Sequence, residues 1–383
     1  MRPGPDRAAP SCLGARVCIL DGQYLAALAA VRSLGRAGAR VAVCAAEHVP
    51  TVVGFASRYA SETRRIPDAA RSAEGFRTAL AGAAAGAGVV LPCALASIRA
   101  LAGAPEWSDH VLLPPPESLE HAVDKARLAA TAAALGILVP RTFGPGEDVP
   151  FPAVVKYRHG EALGLKPEQR YAIVRDRMEL EAVHRRMAGR QPDPVVQEWL
   201  PGEGRGCSAI CDRRGRPAAF FCHRRLREYP VRGGPSTWAE SIEDPQLVAW
   251  TARLLRHLHW RGHAMVEYKV GPDGRPRLLE INPRPWGTYA LAIAAGVDFP
   301  VLYCALVRGG AVPVPRYRSG VRLRFWAKDA LAARAAGVGV AAYVGQALRA
   351  PGVPAVFQWA DPAPSAAYAR RVLSRAGRAG GNA

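Results

Sequence analysis

The first hundred residues alternate between short apolar runs and longer amphipathic stretches. Buried strands are predicted by three apolar runs, 16–20, 40–44 and 88–92. Helical periodicity fills three stretches, 24–37, 73–85 and 94–102. A further apolar run at 111–113 predicts a fourth strand. Short strands that alternate with helices indicate a parallel, doubly wound α/β sheet.

The pattern changes after the prolines at 114–116. Asp124 is predicted to cap a helix over 125–135, and a proline-rich linker follows it. Beyond the linker, antiparallel strands are predicted over 153–157, 171–175, 195–200, 208–211 and 217–225. A long amphipathic helix at 245–260 then leads into a hairpin. We therefore expect an α+β region with antiparallel sheets after the parallel sheet.

The composition is that of an ordinary globular protein. Of the 383 residues, 49% are apolar and 22% charged, which excludes a disordered chain, a coiled-coil rod and a collagen-like polymer. No apolar run approaches the roughly 20 residues that span a bilayer. The N-terminus also lacks the continuous apolar core of a secretory signal. A cytoplasmic protein with no membrane partner is expected.

The chain is strongly basic, with a formal net charge of +19. It contains five lysines and 46 arginines, and no block of five or more basic residues. Because the charge is scattered, a bias towards arginine explains it better than a nucleic-acid surface does. In such a chain the few lysines carry information, among them Lys125 and Lys156.

The segment 262–284 carries the clearest chemical signal. Asp273 and Gly274 form a strong hairpin turn between two alternating runs. Counting outward from this turn places Glu267 directly across from Glu280, with Asn282 two residues further on the same face. The same count puts Leu279 on the opposite, core-facing side.

Two carboxylates placed opposite each other repel unless something compensates their charge. A hard divalent cation does so, and Mg²⁺ prefers carboxylate and amide oxygens. Glu267, Glu280 and Asn282 are therefore candidate metal ligands. The alternative is a solvated face whose charge is balanced by Lys269 and Arg277.

Two further signals are weak when taken alone. Lys156 ends the apolar strand 153–157 and could simply reach solvent. The strand 195–200 runs into Pro201 and Gly202, and its backbone N–H and C=O groups could pair with a planar base. Glu203 follows this turn and could hold ribose hydroxyls.

Taken together and in this order, these residues resemble the ATP-grasp superfamily, and most closely its bacterial carboxylate–amine ligase type. The resemblance covers about residues 16–310. It is carried by Lys125, Lys156, the pair Gln197 and Glu198, Glu267, and the closely spaced Glu280, Asn282 and Arg284. It implies a Rossmann-like pre-ATP-grasp sheet followed by ATP-grasp domains with antiparallel sheets.

The resemblance also implies a domain organisation. Residues 1–14 are expected to be disordered, 15–114 to form the pre-ATP-grasp domain and 115–310 the ATP-grasp domain. Within the latter, a small lid subdomain is expected at about 140–200 and a large subdomain at about 201–310. Residues 311–383 form a C-terminal extension to which no role is assigned.

The site roles follow by position in the resemblance. Lys125 and Lys156 would contact ATP phosphates, while Gln197, Glu198 and Leu200 would line the adenine pocket and Glu203 the ribose. The metal, Mg²⁺ or Mn²⁺, would be held by Glu267, Glu280 and Asn282. Arg284 would lie near an acyl phosphate.

Arg225 and Arg227 are further candidates, since a regular strand places both on one face. They would bind the γ-phosphate or a substrate carboxylate. The alternative is a solvated arginine-rich strand. The loop 156–166 stands where the family has a glycine-rich lid, but it has only Gly160 and Gly164, so Lys166 is expected to contribute there.

The implied function is an ATP-dependent carboxylate–amine ligase that releases ADP and phosphate through an acyl-phosphate intermediate. Its partners would be a small carboxylate and a small amine, and a homodimer is a possible assembly. Two alternatives stay open within the fold: ATP-grasp chemistry on another acceptor, as in a carboxylase or a kinase, and a nucleotide-binding sensor or scaffold without turnover. A nucleic-acid-binding protein is the remaining alternative.

Overall fold

The protein, seen in a computed structural model, is described for residues 12, 14–165, 167–231 and 233–380. These residues form two compact units. The N unit contains the chain up to Leu113, together with Gly296–Arg316 and the segment from Val356. The C unit contains Pro114–Ala295 and Tyr317–Ala355. Except for Cys12 and Gly14, the segment 1–14, for which disorder is expected, lies outside the described residues, as does Lys166.

The described part of the chain contains fifteen strands and twelve α-helices. The strands are β1 Arg16–Ile19, β2 Arg40–Ala46, β3 Ala60–Ile66, β4 Val89–Leu91, β5 Thr142–Phe143, β6 Ala153–Lys156, β7 Tyr171–Val174, β8 Val195–Glu198, β9 Glu203–Cys211, β10 Pro217–Glu228, β11 Ser236–Ile242, β12 Gly262–Val270, β13 Pro276–Asn282, β14 Arg322–Arg324 and β15 Val353–Pro354. The helices are α1 Leu25–Arg36, α2 Ala73–Ala83, α3 Leu95–Ala102, α4 Pro116–Val123, α5 Lys125–Ala134, α6 Arg177–Ala188, α7 Pro245–His257, α8 Tyr289–Ala295, α9 Phe299–Val307, α10 Trp326–Ala335, α11 Val340–Arg349 and α12 Ala363–Gly380.

The N unit is built on a four-stranded parallel sheet in the order β3-β2-β1-β4. This confirms the predicted parallel α/β sheet. The predicted strand at 111–113 is wrong, since these residues form no strand. The fourth strand is instead β3, which the hydrophobic pattern missed because this edge strand is polar and largely exposed.

The C-terminal segment completes the N unit. Arg32 of α1 donates from Nε to Asp361 at 2.8 Å, and the two side chains are only 2% and 1% exposed. Asp361 also accepts from Ser57 Oγ at 2.7 Å and from the backbone N–H of Arg58 at 2.9 Å. A buried ion pair of this kind requires such additional hydrogen bonds.

The C unit contains two further sheets. A four-stranded antiparallel sheet has the order β5-β8-β6-β7, and a seven-stranded sheet has the order β13-β12-β9-β10-β11-β14-β15. The larger sheet is antiparallel except for its last pair, β14 and β15. The predicted antiparallel region is thereby confirmed. Residues 199–202 connect β8 of the smaller sheet to β9 of the larger one.

The two faces of the seven-stranded sheet differ in chemistry. One face, here called the helix face, carries Cys207, Val266 and Tyr268 and packs into a core with α7 residues such as Leu254. Because side chains alternate along a strand, Glu267 points to the other face. We call this second face the site face.

Within the described residues, no single helix has the length and apolar composition needed to cross a membrane. Only α8 and α9 taken together meet that criterion, and they are bent by 92° relative to each other.

Candidate functional site

The centre of the site is the hairpin of β12 and β13. Glu267 pairs directly with Glu280, as the turn at Asp273 and Gly274 predicts. Gly274 adopts a φ of 70°, a conformation that glycine reaches without strain. The turn joins the two strands, and the register one residue further from it places the two carboxylates side by side.

The register does not continue unchanged beyond this pair. The next pair is Tyr268 with Leu278, so Leu279 is the extra residue of a bulge. Leu278 is buried, whereas Leu279 is only partly buried. The expectation that Leu279 faces the core is therefore wrong, and Leu278 takes that place.

Asn282 links the two carboxylates. Its Nδ2 donates to Glu267 Oε1 at 3.2 Å and to Glu280 Oε1 at 3.4 Å. Its Oδ1 accepts from Arg284 Nη2 at 3.3 Å. Because the side chain is 4% exposed, the amide is held firmly beside both carboxylates.

Cations from two other elements neutralise the carboxylates. Lys125 Nζ lies 3.2 Å from Glu280 Oε2, and Arg225 Nη2 donates to Glu267 Oε2 at 2.5 Å. Lys125 is the first residue of α5, whose N-cap Asp124 accepts from the backbone N–H groups of residues 126 and 127. This cap fixes the start of the helix and thereby the position of the lysine.

The titration of the site follows from burial and from these charges. Burial opposes ionisation of Glu280, but the charge and hydrogen bond of Lys125 outweigh it and lower the pKa to about 2. For Glu267, burial and the neighbouring Glu280 outweigh Arg225, and the pKa is raised. Burial, together with the charge of Lys125, lowers the pKa of Lys156 to about 8.

The donor set fits a hard divalent cation. Mg²⁺ is commonly bound by one or two carboxylates and completes its shell with water and substrate phosphates. Glu267 and Glu280 supply two carboxylates, and turning over the Asn282 amide presents a third oxygen. Among the described residues, no group of three His, Cys, Asp or Glu side chains is placed to hold a metal ion, so the protein part of such a shell would depend on the amide.

The residues predicted to bind a base lie at the end of β8. Gln197 accepts from Lys156 Nζ at 3.1 Å and donates to Thr142 Oγ1 at 3.1 Å. Glu198 Oε1 accepts from the backbone N–H of Arg141 at 2.9 Å. Both side chains are therefore engaged within the protein, which leaves the backbone near Leu200 as the better candidate for base recognition.

Glycine is required where the connecting segment passes the larger sheet. Gly202 has a φ of 138°, and a Cβ there would lie 1.9 Å from the carbonyl oxygen of Val270. No other residue type fits this close approach. The segment 199–202 therefore runs directly past the end of β12.

Glu203 does not face the metal residues. It alternates with Gly204 on β9 and shares the helix face with Arg205. Its Oε1 accepts from Arg205 Nε at 2.7 Å, and its Oε2 lies 3.6 Å from Arg224 Nη1. This orientation argues against the ribose role expected for Glu203.

Arg225 and Arg227 do not share a face, contrary to the expectation for a regular strand. Arg225 pairs with Ala239 and Arg227 with Trp238, so Leu226 is the extra residue of a bulge. Arg225 lies on the site face against Glu267. Arg227 instead donates to both carboxylate oxygens of Asp329, at 3.0 and 2.9 Å.

Asp329 is fully buried, and the guanidinium of Arg227 also lies 5.3 Å from the centroid of the Trp238 ring. These contacts make Arg227 part of a structural cluster. The single inserted residue, Leu226, thus separates a site residue from a packing residue.

Arg284 is held by a residue that sequence reasoning did not single out. Its Nε donates to Glu161 Oε1 at 2.7 Å. Glu161 lies in the loop between β6 and β7, and Arg170 Nη1 lies 3.8 Å from it. Burial raises the pKa of Glu161, but the charges of Arg284 and Arg170 outweigh burial, so the pKa is lowered overall.

Two further residues of the site face had no role in the ATP site predicted from the sequence. Lys269 follows Glu267 by two positions on β12, and its Nζ lies 3.8 Å from Glu228 Oε1. Arg225 Nη1 lies 3.7 Å from Glu228 Oε2. The scarcity of lysine was a usable signal for Lys269, whereas nothing in the sequence pointed to Glu228.

Comparison with known proteins gives one family match and several similar folds. Residues 190–328 match the family profile described as ATP-grasp in the biosynthetic pathway with Ter operon. No curated protein matches the chain significantly.

Three solved structures illustrate the similarity of the fold. Biotin carboxylase from Campylobacter jejuni has a TM-score of 0.62 at 15% identity, covering 80% of this chain and 74% of that one. The N5-carboxyaminoimidazole synthetase from Staphylococcus aureus in complex with ADP has a TM-score of 0.62 at 16% identity, covering 80% of each chain. L-amino acid ligase from Bacillus licheniformis has a TM-score of 0.58 at 15% identity, covering 80% of this chain and 75% of that one.

Proposed function

We propose that this chain, which has the fold of the ATP-grasp superfamily, is an ATP-dependent ligase that joins a carboxylate to an amine. The family profile and the similar folds support the superfamily part of the resemblance identified from the sequence. The reaction rests on one observation: Glu267, Glu280 and Asn282 converge on the site face, and cationic side chains lie directly beside them.

This arrangement suits a metal–triphosphate complex. Phosphoryl transfer requires little covalent work from the protein and depends on positioning and on neutralising charge. Lys125 and Arg225 are paired with the same carboxylates that would hold the metal. Binding of a divalent cation would neutralise Glu267 and Glu280, so both cations would become available for phosphate oxygens.

Each residue then has a distinct task. Glu267, Glu280 and Asn282 would hold Mg²⁺, or Mn²⁺ in its place, and the ion would supply positive charge between the phosphate oxygens. Lys125 and Lys156 would orient the triphosphate. The adenine would contact the backbone near Leu200, beside Gln197 and Glu198.

Arg284 is the proposed anchor for the substrate carboxylate. Its contact with Asn282 puts the guanidinium next to the metal residues, and its bond to Glu161 is the kind of contact that a carboxylate ligand would make. A substrate carboxylate would take the place of Glu161. Arg225, on the other side of Glu267, would contact the transferred phosphoryl group.

The proposed reaction has two steps. An oxygen of the substrate carboxylate attacks the γ-phosphorus while the bond to the β–γ bridging oxygen breaks, which yields an acyl phosphate and ADP. The amine nitrogen then attacks the acyl carbon, the bond to the phosphate oxygen breaks, and the nitrogen loses a proton. Holding both substrates in place supplies much of the rate enhancement.

Measurement of ADP formation across a panel of carboxylates and amines tests this function, with product masses to identify the bond formed. ADP production that requires both substrates is expected, and Glu280→Gln should abolish it. Glu203→Gln, a control on the helix face, should leave it intact. A product carrying a carboxyl or phosphoryl group in place of an amide would favour the other ATP-grasp chemistries, and nucleotide binding without ADP release would favour a sensor.

A further inference from the structure

We propose that Glu228 binds the ribose hydroxyls of the nucleotide. This inference rests on the proposed function, because it requires a nucleoside triphosphate on the site face. It gives to Glu228 of β10 the role that the sequence had suggested for Glu203 of β9.

The first argument is an unused hydrogen-bonding atom. Glu228 Oε2 is buried and has no hydrogen bond from any described residue. The two cations nearest to this carboxylate, Arg225 at 3.7 Å and Lys269 at 3.8 Å, are ion-pair neighbours beyond hydrogen-bonding distance. Buried polar atoms without partners are rare in native proteins and call for an explanation.

The second argument is position along β12. Glu267 marks the end of the site that would hold the metal and the phosphates. Lys269 lies two residues further along the strand, about 6.6 Å away. The next residue, Val270, pairs with Glu203, directly after the segment 199–202 that would hold the base. A nucleotide with its phosphates at Glu267 and its base at this segment therefore has its sugar at the level of Lys269.

The third argument is access from β10. Lys269 pairs with Gly204 on β9, which lies between β12 and β10. Because Gly204 has no side chain, Arg225 and Glu228 reach over it towards β12. A Cβ on Gly204 would lie 2.8 Å from Arg225 Cδ. Glu228 thus meets Lys269 at the level where the sugar is expected.

The chemistry of the carboxylate selects the ligand group. A carboxylate flanked by two cations accepts hydrogen bonds and donates none. Phosphate oxygens are themselves anionic acceptors and would be repelled. The donors of ATP are the two ribose hydroxyls and the adenine amino group, and the amino group would lie at the other end, beside the backbone near Leu200. The ribose hydroxyls are the remaining partner.

Calorimetric titration of the full-length protein with Mg²⁺·ATP and with Mg²⁺·2′,3′-dideoxy-ATP tests this proposal. The wild type is expected to bind ATP about tenfold or more tightly, because hydrogen bonds to a charged group are at stake. Glu228→Gln should remove most of the preference for ATP over dideoxy-ATP, because the loss of its negative charge acts on both nucleotides alike and cancels in their ratio. Glu228→Asp, which keeps the charge but shortens the side chain, should lie between the two.

The control is Glu203→Gln, which should preserve the preference for ATP. A preference for ATP that stays unchanged in Glu228→Gln would overturn the ribose role. Binding of dideoxy-ATP also reports that a variant is folded. If the wild type binds neither nucleotide, the proposed function fails and this inference fails with it; if it binds both equally, only the inference fails.

Discussion

Arg225 and Arg227 are separated by one residue, yet their guanidinium groups bind carboxylates on opposite faces of the same sheet. Arg225 reaches Glu267, and Arg227 reaches Asp329. The bulge at Leu226 is the cause, since the two arginines pair with adjacent residues of β11. Two chemically identical side chains are thereby given different tasks, which can be measured separately.

Substitution of each arginine should therefore affect a different property. Arg225→Gln is expected to lower kcat/KM for ATP about tenfold or more, because it removes a charge-assisted hydrogen bond beside the phosphates. Arg227→Gln is expected to leave KM unchanged and to lower the free energy of unfolding by about 1–3 kcal/mol, because it removes a charged hydrogen bond while Arg324 still lies 3.5 Å from the buried Asp329. Steady-state kinetics and urea unfolding of both variants provide the test. A loss of turnover in folded Arg227→Gln would contradict this division.

The affinity for Mg²⁺·ATP should depend on pH through Lys156. Burial lowers its pKa to about 8, so the free protein carries this charge below pH 8 and loses it above. A bound triphosphate favours the protonated lysine, so binding above pH 8 must take up a proton. Affinity is expected to be constant below pH 8 and to fall by at most about tenfold per pH unit above it.

Calorimetric titrations with Mg²⁺·ATP between pH 7 and about 9.5 measure this dependence. The range runs from below the pKa of Lys156 to a little below that of an ordinary lysine. Lys156→Arg stays protonated throughout this range. It should therefore bind with an affinity that does not change with pH. A wild-type affinity that also stays flat would show that Lys156 keeps its charge in the free protein.

Glu161 should compete with the nucleotide and with the substrate carboxylate. Glu161→Gln removes a negative charge from the loop facing Arg284, so Mg²⁺·ATP binding is expected to tighten by about two- to fivefold. Glu168→Gln, an exposed residue of the same loop, serves as the control and should have little effect. Weaker ATP binding in Glu161→Gln would instead indicate that Glu161 supports the bound state.

The C-terminal segment should contribute strongly to the stability of the N unit. Asp361→Ala leaves Arg32 buried without its ionic partner, and the free energy of unfolding is expected to fall by about 3–5 kcal/mol. Gln358 lies three residues before Asp361 and accepts an exposed hydrogen bond from Arg36. Its substitution, Gln358→Ala, should lower the free energy of unfolding by less than about 1 kcal/mol. Chemical unfolding followed by circular dichroism compares the two variants.

Two glycines should respond in opposite directions to the same substitution. A Cβ on Gly206 would lie 2.4 Å from Cε1 of the buried His223, so Gly206→Ala is expected to cost about 1–3 kcal/mol. A Cβ on Gly82, inside α2, would meet no heavy atom within 4 Å, and Gly82→Ala should gain about 0.5–1 kcal/mol. Thermal unfolding distinguishes the two signs.

The sequence determined the parts of the site that depend on local rules. The count from the turn at Asp273 and Gly274 gave the observed pairing of Glu267 with Glu280, although it did not show the bulge at Leu279 that lies between the turn and this pair. The Asp124 cap fixes the position of Lys125 within a few residues along the chain. The parallel sheet was likewise visible from its buried strands, except for β3, whose exposed edge position allows a polar sequence.

What the sequence did not reveal depends on partners distant in the chain. The bulges at Leu226 and Leu279 are set by the neighbouring strands, and each changes which face the following side chains occupy. The contact between Glu161 and Arg284 joins residues 123 positions apart. Only the assembled sheets bring such groups together. Counting alternation along one strand placed Arg227 on the wrong face, because the count could not include the bulge at Leu226.

The pairing of Arg32 with Asp361 also sets an order of events during synthesis. The two residues are 329 positions apart, so at about 5–20 residues per second the ribosome needs roughly 20–60 s after making one to make the other. The ribosome makes all of the C unit before it makes the segment from Val356, which belongs to the N unit. Arg32 thus spends that interval without its counter-charge, so we expect the N unit to reach its final packing only after the C-terminal segment has been made.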